Sequence, residues 1–217
     1  MTDAAAASFP NGSKPRLVVG ISGASGALYG LRALAACRDL GVESHLVMSK
    51  SAALTLTQET GLSVAEAAEK ADVVHRIGDV GASIASGSYR TLGMIVAPCS
   101  VRTMSEIATG VTSSLLTRAA DVTLKERRPL VLMVRESPLH LGHLRTLTRL
   151  AEMGAVIAPP VPAFYAKPVS IEEMVDQSVG RALDLFGLTW GPVKRWGEDL
   201  PPIGSPAGAT VNETDEN

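Results

Sequence analysis

Near the N-terminus, a short apolar run at residues 16–21 leads into a loop with three glycines, Gly20, Gly23 and Gly26. A continuous apolar run of this length is typical of a parallel strand that is buried on both faces. A helical pattern of leucines follows at 25–40 and ends at Gly41, and then come a second strand at 43–48 and a second helix at 50–60. This βαβα order predicts an α/β fold with a doubly wound parallel sheet.

The remaining sequence continues the alternation of strands and helices. Further strands are predicted at 73–77, 91–97, 130–134 and 155–158, and further helices at 64–70, 101–109, 113–126, 139–153 and 171–186. A length of 217 residues with 46% hydrophobic residues suits one domain, and 4% aromatic residues predict a core of Ala, Val, Leu and Ile. We therefore expect a flexible arm at 1–14, one domain at 15–190 and a partly disordered, Pro-, Gly- and acid-rich extension at 191–217.

Charge and composition exclude several classes of partner. The formal net charge of −2 gives no electrostatic basis for binding nucleic acid or an anionic membrane. No stretch approaches the roughly 18 apolar residues of a membrane span, and the first 14 residues lack the apolar core of a signal peptide. Cys37 and Cys99 form no CxxC pair and predict no disulfide framework, which favours a cytoplasmic location.

The glycine loop has the spacing GxxGxxG, which is neither the GxGxxG of dinucleotide sites nor the GxxxxGK[ST] of P-loops. The second strand ends at Met48, Ser49 and Lys50, without the acidic residue that binds an adenosine ribose. Because glycines have no side chain, the backbone N–H groups of such a loop can approach an anion at the N-terminus of the following helix. The pattern favours a ligand with one phosphate and no adenosine half; a purely structural tight turn is the alternative.

Three later strand ends also carry polar or unusual residues. They are Ser100 to Thr103 after the strand at 91–97, Arg135 and Glu136 after the strand at 130–134, and the proline-rich run 159–165. Each is open to a simpler explanation, because Ser100 and Ser137 are suited to cap helices. Since the carboxyl ends of parallel strands meet at one edge of the sheet, their joint placement favours a pocket there.

Arg118 and Lys125 are seven residues apart in a predicted helix and therefore lie on nearly one face. Both side chains are suited to phosphate binding. The alternatives are a solvated charged face, or pairing of Arg118 with Asp121 three residues later. His140 and His143 share a helix face as well, but no HExxH, Cys/His or DDxxD pattern accompanies them, so structural or surface roles are favoured over metal binding.

Six colinear segments of the sequence resemble the bacterial flavin prenyltransferases, the UbiX family. They are VGISGASGALYG at 19–30, SGS at 86–88, APCSVRT at 97–103, LTRAADVTLKERRP at 116–129, VRESP at 134–138 and PPVPAFY at 159–165. The resemblance extends over residues 16–188, and residues 194–198 are similar to C-terminal extensions of some members.

The resemblance implies a three-layer Rossmann-like or flavodoxin-like domain in a homododecamer built of trimers. It also implies an enzyme that transfers a dimethylallyl group from dimethylallyl monophosphate to N5 and C6 of reduced FMN without a metal. The product, prenylated FMN, is the cofactor of UbiD-type decarboxylases. This fits the lack of a magnesium motif and of an adenosine-binding acid in the sequence.

Roles for individual residues are implied by their positions in the matching motifs. The residues that would bind FMN are Gly23, Ala24, Ser25, Ser49, Ser100, Val101, Arg102, Thr103 and Arg135. Those that would bind the prenyl phosphate are Ser86, Gly87, Arg118, Lys125, Tyr165 and Arg181. Glu136 matches the acidic residue that transfers protons, and Arg118 and Lys125 would also act in catalysis by stabilising the departing phosphate.

One departure from the family concerns Ala166 and Lys167, where a His-Arg pair is frequent after the tyrosine. Two other functions remain alternatives. An FMN-dependent cysteine decarboxylase of a related family would carry a catalytic histidine and an Asn-containing motif after the middle strand, but residues 98–103 contain no Asn. A non-catalytic flavin carrier would have no need of Glu136, Arg118, Lys125 and Arg181.

Overall fold

The structure is a computed structural model that describes residues 12–191 and 193–199. Within these residues, six parallel strands form one sheet in the order β3-β2-β1-β4-β5-β6. The strands are β1 (Arg16–Ile21), β2 (Glu43–Met48), β3 (Val73–His75), β4 (Gly93–Cys99), β5 (Leu130–Val134) and β6 (Val156–Ile157). The chain builds outward from β1 to β3 and then returns to β4 on the other side of β1, which is the Rossmann strand order. The predicted doubly wound sheet is confirmed.

Helices cover both faces of the sheet. They are α1 (Ala27–Asp39), α2 (Lys50–Thr60), α3 (Val64–Ala68), α4 (Val101–Thr109), α5 (Leu115–Lys125), α6 (Leu141–Glu152) and α7 (Ile171–Leu183). One core cluster joins α1 and α7 to one face, and a second joins α4, α5 and α6 to the other. Successive strand residues alternate between these clusters: Leu17 and Val19 face α1, whereas Val18 faces α5. This explains why the central strands β4 and β5, and β1 after Arg16, are apolar along their length.

Strand β4 extends further than the sequence predicts. The prediction ends it at Ala97, because Pro98 has no N–H to donate, yet the strand continues to Cys99. Its pairing with β5 is irregular between Val96 and Cys99, where the proline lies. The carbonyl of Pro98 accepts bonds from the Ser22 backbone N–H (3.2 Å) and hydroxyl (2.9 Å). The end of β4 is thereby fixed to the loop after β1.

The first part of the predicted C-terminal extension packs on the domain. Lys194 exchanges two backbone hydrogen bonds of 2.9 Å with the Gln177 side chain, and Arg195 forms a two-bond ion pair with Asp184. The predicted arm at 1–14 and the rest of the extension lie largely outside the described residues. Both cysteines are buried and unpaired. None of the helices in the described part of the chain is long and apolar enough to cross a membrane.

Candidate functional site

A cavity of about 740 Å³ opens at the carboxyl ends of β1, β2, β4 and β5, where the strand order reverses. This is the place where open α/β sheets bind ligands. The structure brings ten of the predicted site residues together around it: Gly23, Ala24, Ser25, Ser49, Ser100, Val101, Arg102, Thr103, Arg135 and Glu136. Lys50, Ile77 and Gly78 also line the cavity, and no sequence motif indicated them.

The loop after β1 is shaped by close packing against α2. A Cβ on Gly23 would lie 2.3 Å from the Cβ of Ser51, so glycine alone permits this approach. The hydroxyl of Ser22 also accepts a 2.7 Å bond from the backbone N–H of Ser100. The loops after β1 and β4 are therefore held together as one wall of the cavity.

The N-terminus of α1 is already occupied by an anion of the chain itself. Glu59, near the end of α2, accepts bonds of 2.9 Å from the backbone N–H groups of Gly26 and Ala27. Burial opposes ionisation of Glu59, but hydrogen bonds from Ser25, Ala27 and Gly26 outweigh it and lower its pKa. Rossmann domains bind pyrophosphate at this helix end. Sequence reasoning missed Glu59, because its position depends on how α2 packs against α1.

The N-terminus of α4 is open to the cavity. Ser100 caps the helix by accepting from the backbone N–H of Thr103 (3.2 Å), and its hydroxyl donates to the Thr103 hydroxyl (3.1 Å). The first turn of α4 contains no acidic residue. The side chain of Arg102 is 82% exposed and pairs with Glu106. Backbone N–H groups, hydroxyls and an arginine together suit an anion at this helix end.

Arg135 and Glu136 follow β5 directly. The backbone N–H of Arg135 donates to the Cys99 carbonyl (3.1 Å), which fixes the strand end beside β4. Glu136 is exposed at the cavity and accepts a bond of 2.9 Å from the backbone N–H of Ser137. The two side chains bring a cation and a carboxylate to the same rim as the α4 N-terminus.

The predicted prenyl-phosphate residues form two further groups. Gly87 lies against the end of α5, where a Cβ on it would come within 2.6 Å of the Lys125 ammonium. On the same helix, Arg118 donates to Asp121 at 2.6 Å. The ion pair between these two residues, which the sequence offered as an alternative to phosphate binding, is therefore present in the single chain. Lys125 is bonded to Glu126. None of Ser86, Gly87, Arg118 and Lys125 lines the large cavity: Gly87 meets Lys125 at the far end of α5, whereas it is the first turn of α5 that lines the cavity.

Tyr165 and Arg181 lie elsewhere in the chain. Arg181 lines a separate cavity of about 170 Å³ and donates to Asp184 at 2.5 Å. The Tyr165 hydroxyl accepts from Gln177 at 3.4 Å. Within one chain, the structure does not bring these two residues to the large cavity.

The histidine pair on α6 has a local structural role. His140 caps α6 by accepting from the backbone N–H of His143 at 3.3 Å, and the two rings stack with centroids 3.6 Å apart. Among the described residues, no group of three or more His, Cys, Asp or Glu side chains is arranged to bind a metal ion.

Comparison with known proteins identifies the family. A sequence model of the Flavoprotein family matches residues 7–183. The flavin prenyltransferase UbiX of Escherichia coli K12 is 59% identical over 175 residues, which make up 80% of this chain and 93% of that protein. The chain belongs to the flavoprotein family, as a UbiX-type member.

Solved structures of UbiX-type proteins have the same fold. AnUbiX, crystallised with FMN and dimethylallyl pyrophosphate, superposes with a TM-score of 0.83 at 51% identity and covers 85% of this chain and 98% of its own. A dodecameric FMN-dependent UbiX-like decarboxylase of Escherichia coli O157:H7 gives 0.81 at 47% identity and covers 83% and 98%. The FMN-dependent cysteine decarboxylase TvaF shares 18% identity at 0.56, which indicates a common fold alone. The UbiX-type assignment is therefore supported by both sequence and structure.

Proposed function

We propose that this protein is a flavin prenyltransferase that transfers a dimethylallyl group from dimethylallyl monophosphate to N5 and C6 of reduced FMN. The product is prenylated FMN, which a UbiD-type decarboxylase receives. The observation that carries the proposal is the convergence of the nine predicted flavin-binding residues and Glu136 on one cavity at the switch point of the sheet. The buried, unpaired cysteines are in keeping with a reducing cytoplasm.

The cavity suits a flavin mononucleotide by its size and its donors. Its volume of about 740 Å³ is in the range of small-molecule sites. Only one of the two helix N-termini near β1 and β4 is open to an external anion, because Glu59 fills that of α1. A ligand with a single phosphate therefore suits the site better than a dinucleotide, and that phosphate is assigned to the open N-terminus of α4.

When bound, reduced FMN supplies the two nucleophilic positions of the reaction. The chain's own residues bind, orient and protect it: Ser100 to Thr103 bind its phosphate side and Arg135 binds the flavin. Leu116 and Ile77 provide apolar lining, which limits the access of water to an allylic cation. The Glu136 carboxylate, at the same rim, would take the proton that N5 loses on alkylation and return it to the double bond of the attached prenyl chain, which makes that chain electrophilic toward C6. It would then take the proton that C6 loses on ring closure, and the released phosphate is the final proton acceptor.

Cations on α5 balance the charge of the departing phosphate. Lys125 and Arg118 would neutralise it. Gly87 lies beside Lys125 and would add a backbone donor, and the adjacent Ser86 would add a hydroxyl. In the single chain both cations pair with neighbouring acids that are themselves accessible, so an incoming phosphate can compete for them. Several cations and hydroxyls can stabilise a leaving phosphate without a metal.

Neighbouring subunits complete the donor site in this proposal. Tyr165 and Arg181 are remote from the large cavity of their own chain, and the segment around them exposes large apolar side chains. Val161, Phe164 and Val169 are 72%, 77% and 87% exposed. Such a concentration of exposed apolar groups marks a protein interface. Assembly into a homododecamer would cover this surface and bring Tyr165 and Arg181 to the cavity of another subunit.

Ser100→Ala is expected to weaken FMN binding by roughly tenfold, because it removes a hydroxyl and the cap that orients the α4 N-terminus. Ser170→Ala is the matched control, since Ser170 caps α7 through the same kind of bond, to the Glu173 backbone N–H at 3.1 Å. Both variants lose about 1 kcal/mol of stability as caps. Quenching of flavin fluorescence measures the affinities, and equal FMN affinities for the two variants would contradict a phosphate site at α4.

The test of the function itself is anaerobic incubation of the protein with reduced FMN and dimethylallyl monophosphate, followed by mass spectrometry of the flavin. We expect a gain in mass of one dimethylallyl unit. A parallel reaction with dimethylallyl pyrophosphate establishes which donor is used. A peptide with a C-terminal cysteine serves as the substrate for the alternative decarboxylase activity. If the flavin is unmodified although FMN is shown to be bound, the prenyltransferase proposal is contradicted.

A further inference from the structure

A polar cluster outside the cavity surrounds the buried side chain of His45, between the first residues of β1 and β2 and the end of β3. Its members are Arg16, Glu43, His45, His75 and Tyr89. His45 is 1% exposed and contacts three of the other four. The proposed catalytic chemistry uses none of these residues, and a buried histidine network is costly unless every polar atom has a partner.

The acceptors in the cluster define which nitrogen of each ring carries the proton. Glu43 Oε1 accepts from Arg16 Nε at 3.0 Å and, being a carboxylate, can only accept from His45 Nε2 at 2.9 Å. Neutral His45 therefore has a free lone pair on Nδ1, and His75 Nε2–H donates to it at 2.9 Å. The two ring planes lie within 16° of each other with centroids 5.2 Å apart, as expected for an in-plane N–H···N bond.

Burial favours the neutral form of both imidazoles. It lowers the pKa of His45, against the opposing effect of Glu43, while Arg16 lowers it further and Asp72 raises it. Burial also lowers the pKa of His75, as does the neighbouring His45, and Asp79 opposes them. The hydrogen bond between His75 Nε2 and His45 Nδ1 contains one proton, which agrees with two neutral imidazoles.

The two outer members of the cluster are the ends of one surface segment. His75 ends β3, and Tyr89 lies fourteen residues later in the chain, with its hydroxyl 3.2 Å from His45 Nε2 and its ring under the Arg16 guanidinium at 4.7 Å. His45 thus contacts His75, which precedes segment 76–89, and Tyr89, which is the last residue of that segment. The Arg128 guanidinium adds bonds of 2.7 Å to the carbonyls of Gly87 and Tyr89.

Segment 76–89 reaches both parts of the proposed site. Ile77 and Gly78 line the large cavity, and the Ile77 carbonyl accepts from the Leu115 backbone N–H at 2.8 Å, at the start of α5. Gly87 lies beside Lys125, at the end of the same helix, and Ser86 precedes it in the chain. The position of the segment therefore decides how Ser86 and Gly87 face a donor phosphate.

We propose that His45 and His75 are positioning residues, whose mutual hydrogen bond holds segment 76–89 so that Ser86 and Gly87 face the prenyl donor. The proposal rests on the proposed function for its substrate, a dimethylallyl phosphate. Its consequence is specific: loosening the pair weakens donor binding and leaves the flavin side and the chemical step almost intact. Neither histidine lines the cavity, and Ile77, which does, stays bonded to the Leu115 backbone N–H.

The test compares His75→Leu with His75→Gln. Leucine fills the volume but leaves His45 Nδ1 without a donor, whereas the glutamine side-chain amide places an N–H close to the position of His75 Nε2. His75 is half-buried at the edge of the sheet, so both variants should fold. Donor kinetics at saturating reduced FMN, FMN affinity and amide hydrogen exchange of segment 76–89 are measured for each.

We expect His75→Leu to raise the KM for dimethylallyl monophosphate roughly tenfold, which is the effect expected from the loss of one buried hydrogen bond. The kcat and the FMN affinity should stay within about twofold of the wild-type values. Exchange in segment 76–89 should be faster while that of β4 and β5 is unchanged, and His75→Gln should be close to wild type. Unchanged exchange in His75→Leu, equal defects in both variants, or a fall in kcat without a rise in KM would overturn the proposal. Absence of prenyl transfer by the wild type would contradict the proposed function only, since the exchange comparison still decides the anchoring.

Discussion

Replacing Glu136 with glutamine is expected to leave FMN bound and to slow the formation of prenylated flavin by a factor of about 10²–10⁴, the usual contribution of a general acid–base group. The amide keeps the size and one acceptor oxygen of the side chain but can no longer exchange a proton. Glu136 is exposed at the cavity and accepts a hydrogen bond from the adjacent Ser137 backbone N–H, so little structure depends on its charge.

The measurement is the single-turnover rate of flavin prenylation, with FMN affinity determined separately. Glu152→Gln is the matched control, because Glu152 is an exposed carboxylate at the end of α6, away from the cavity lining. The control should retain the wild-type rate. If Glu136→Gln loses FMN instead, the residue is structural; if it turns over normally, Glu136 moves no proton in the slow step.

Gly30→Ala is expected to destabilise the protein by about 3 kcal/mol, at the upper end of the cost of overpacking a core. Gly30 lies inside α1, where helix propensity alone would favour alanine by about 1 kcal/mol. In the structure, however, a Cβ there would lie 2.5 Å from the Ala97 carbonyl oxygen of β4 and 2.6 Å from Ile21 Cδ1. Because one of these neighbours is backbone, relief requires α1 to move away from the sheet.

Thermal unfolding measures this effect, and a fall in midpoint of roughly 6–12 °C corresponds to it for a chain of this size. Gly142→Ala in α6 is the control. The nearest atoms to a Cβ at Gly142 belong to the exposed His140 ring, at 2.8 Å. This ring can rotate away by giving up its cap bond from the His143 N–H, at a cost of about 1 kcal/mol that the helix propensity of alanine offsets. The control should change stability by less than about 1 kcal/mol. A stabilised Gly30→Ala variant would mean that α1 does not pack as closely on β4 as the structure shows.

Much of the cavity could be predicted because its residues follow strands directly. Ser49, Ser100 and Arg135 each come within one or two residues of a strand's carboxyl end, and parallel strands necessarily bring these ends together. Glu59 could not be predicted in this way, because it is near the far end of α2 and meets the α1 N-terminus only through the packing of two helices. The same holds for Ile77 and Gly78, which no motif marks.

The sequence by itself determined the α/β alternation, the parallel sheet and the UbiX-type relationship, since these depend on apolar periodicity and on motifs contiguous in the chain. The tertiary structure alone decided which helix N-terminus is open to a phosphate, why α1 needs a glycine at position 30, and how His45 connects β2 with both ends of segment 76–89. Each of these depends on contacts between residues distant in sequence, which local patterns do not encode. The GxxGxxG loop shows the difference: its spacing indicated an anion site at the start of α1, but packing places the chain's own Glu59 carboxylate there, whereas the first turn of α4 contains no acidic residue.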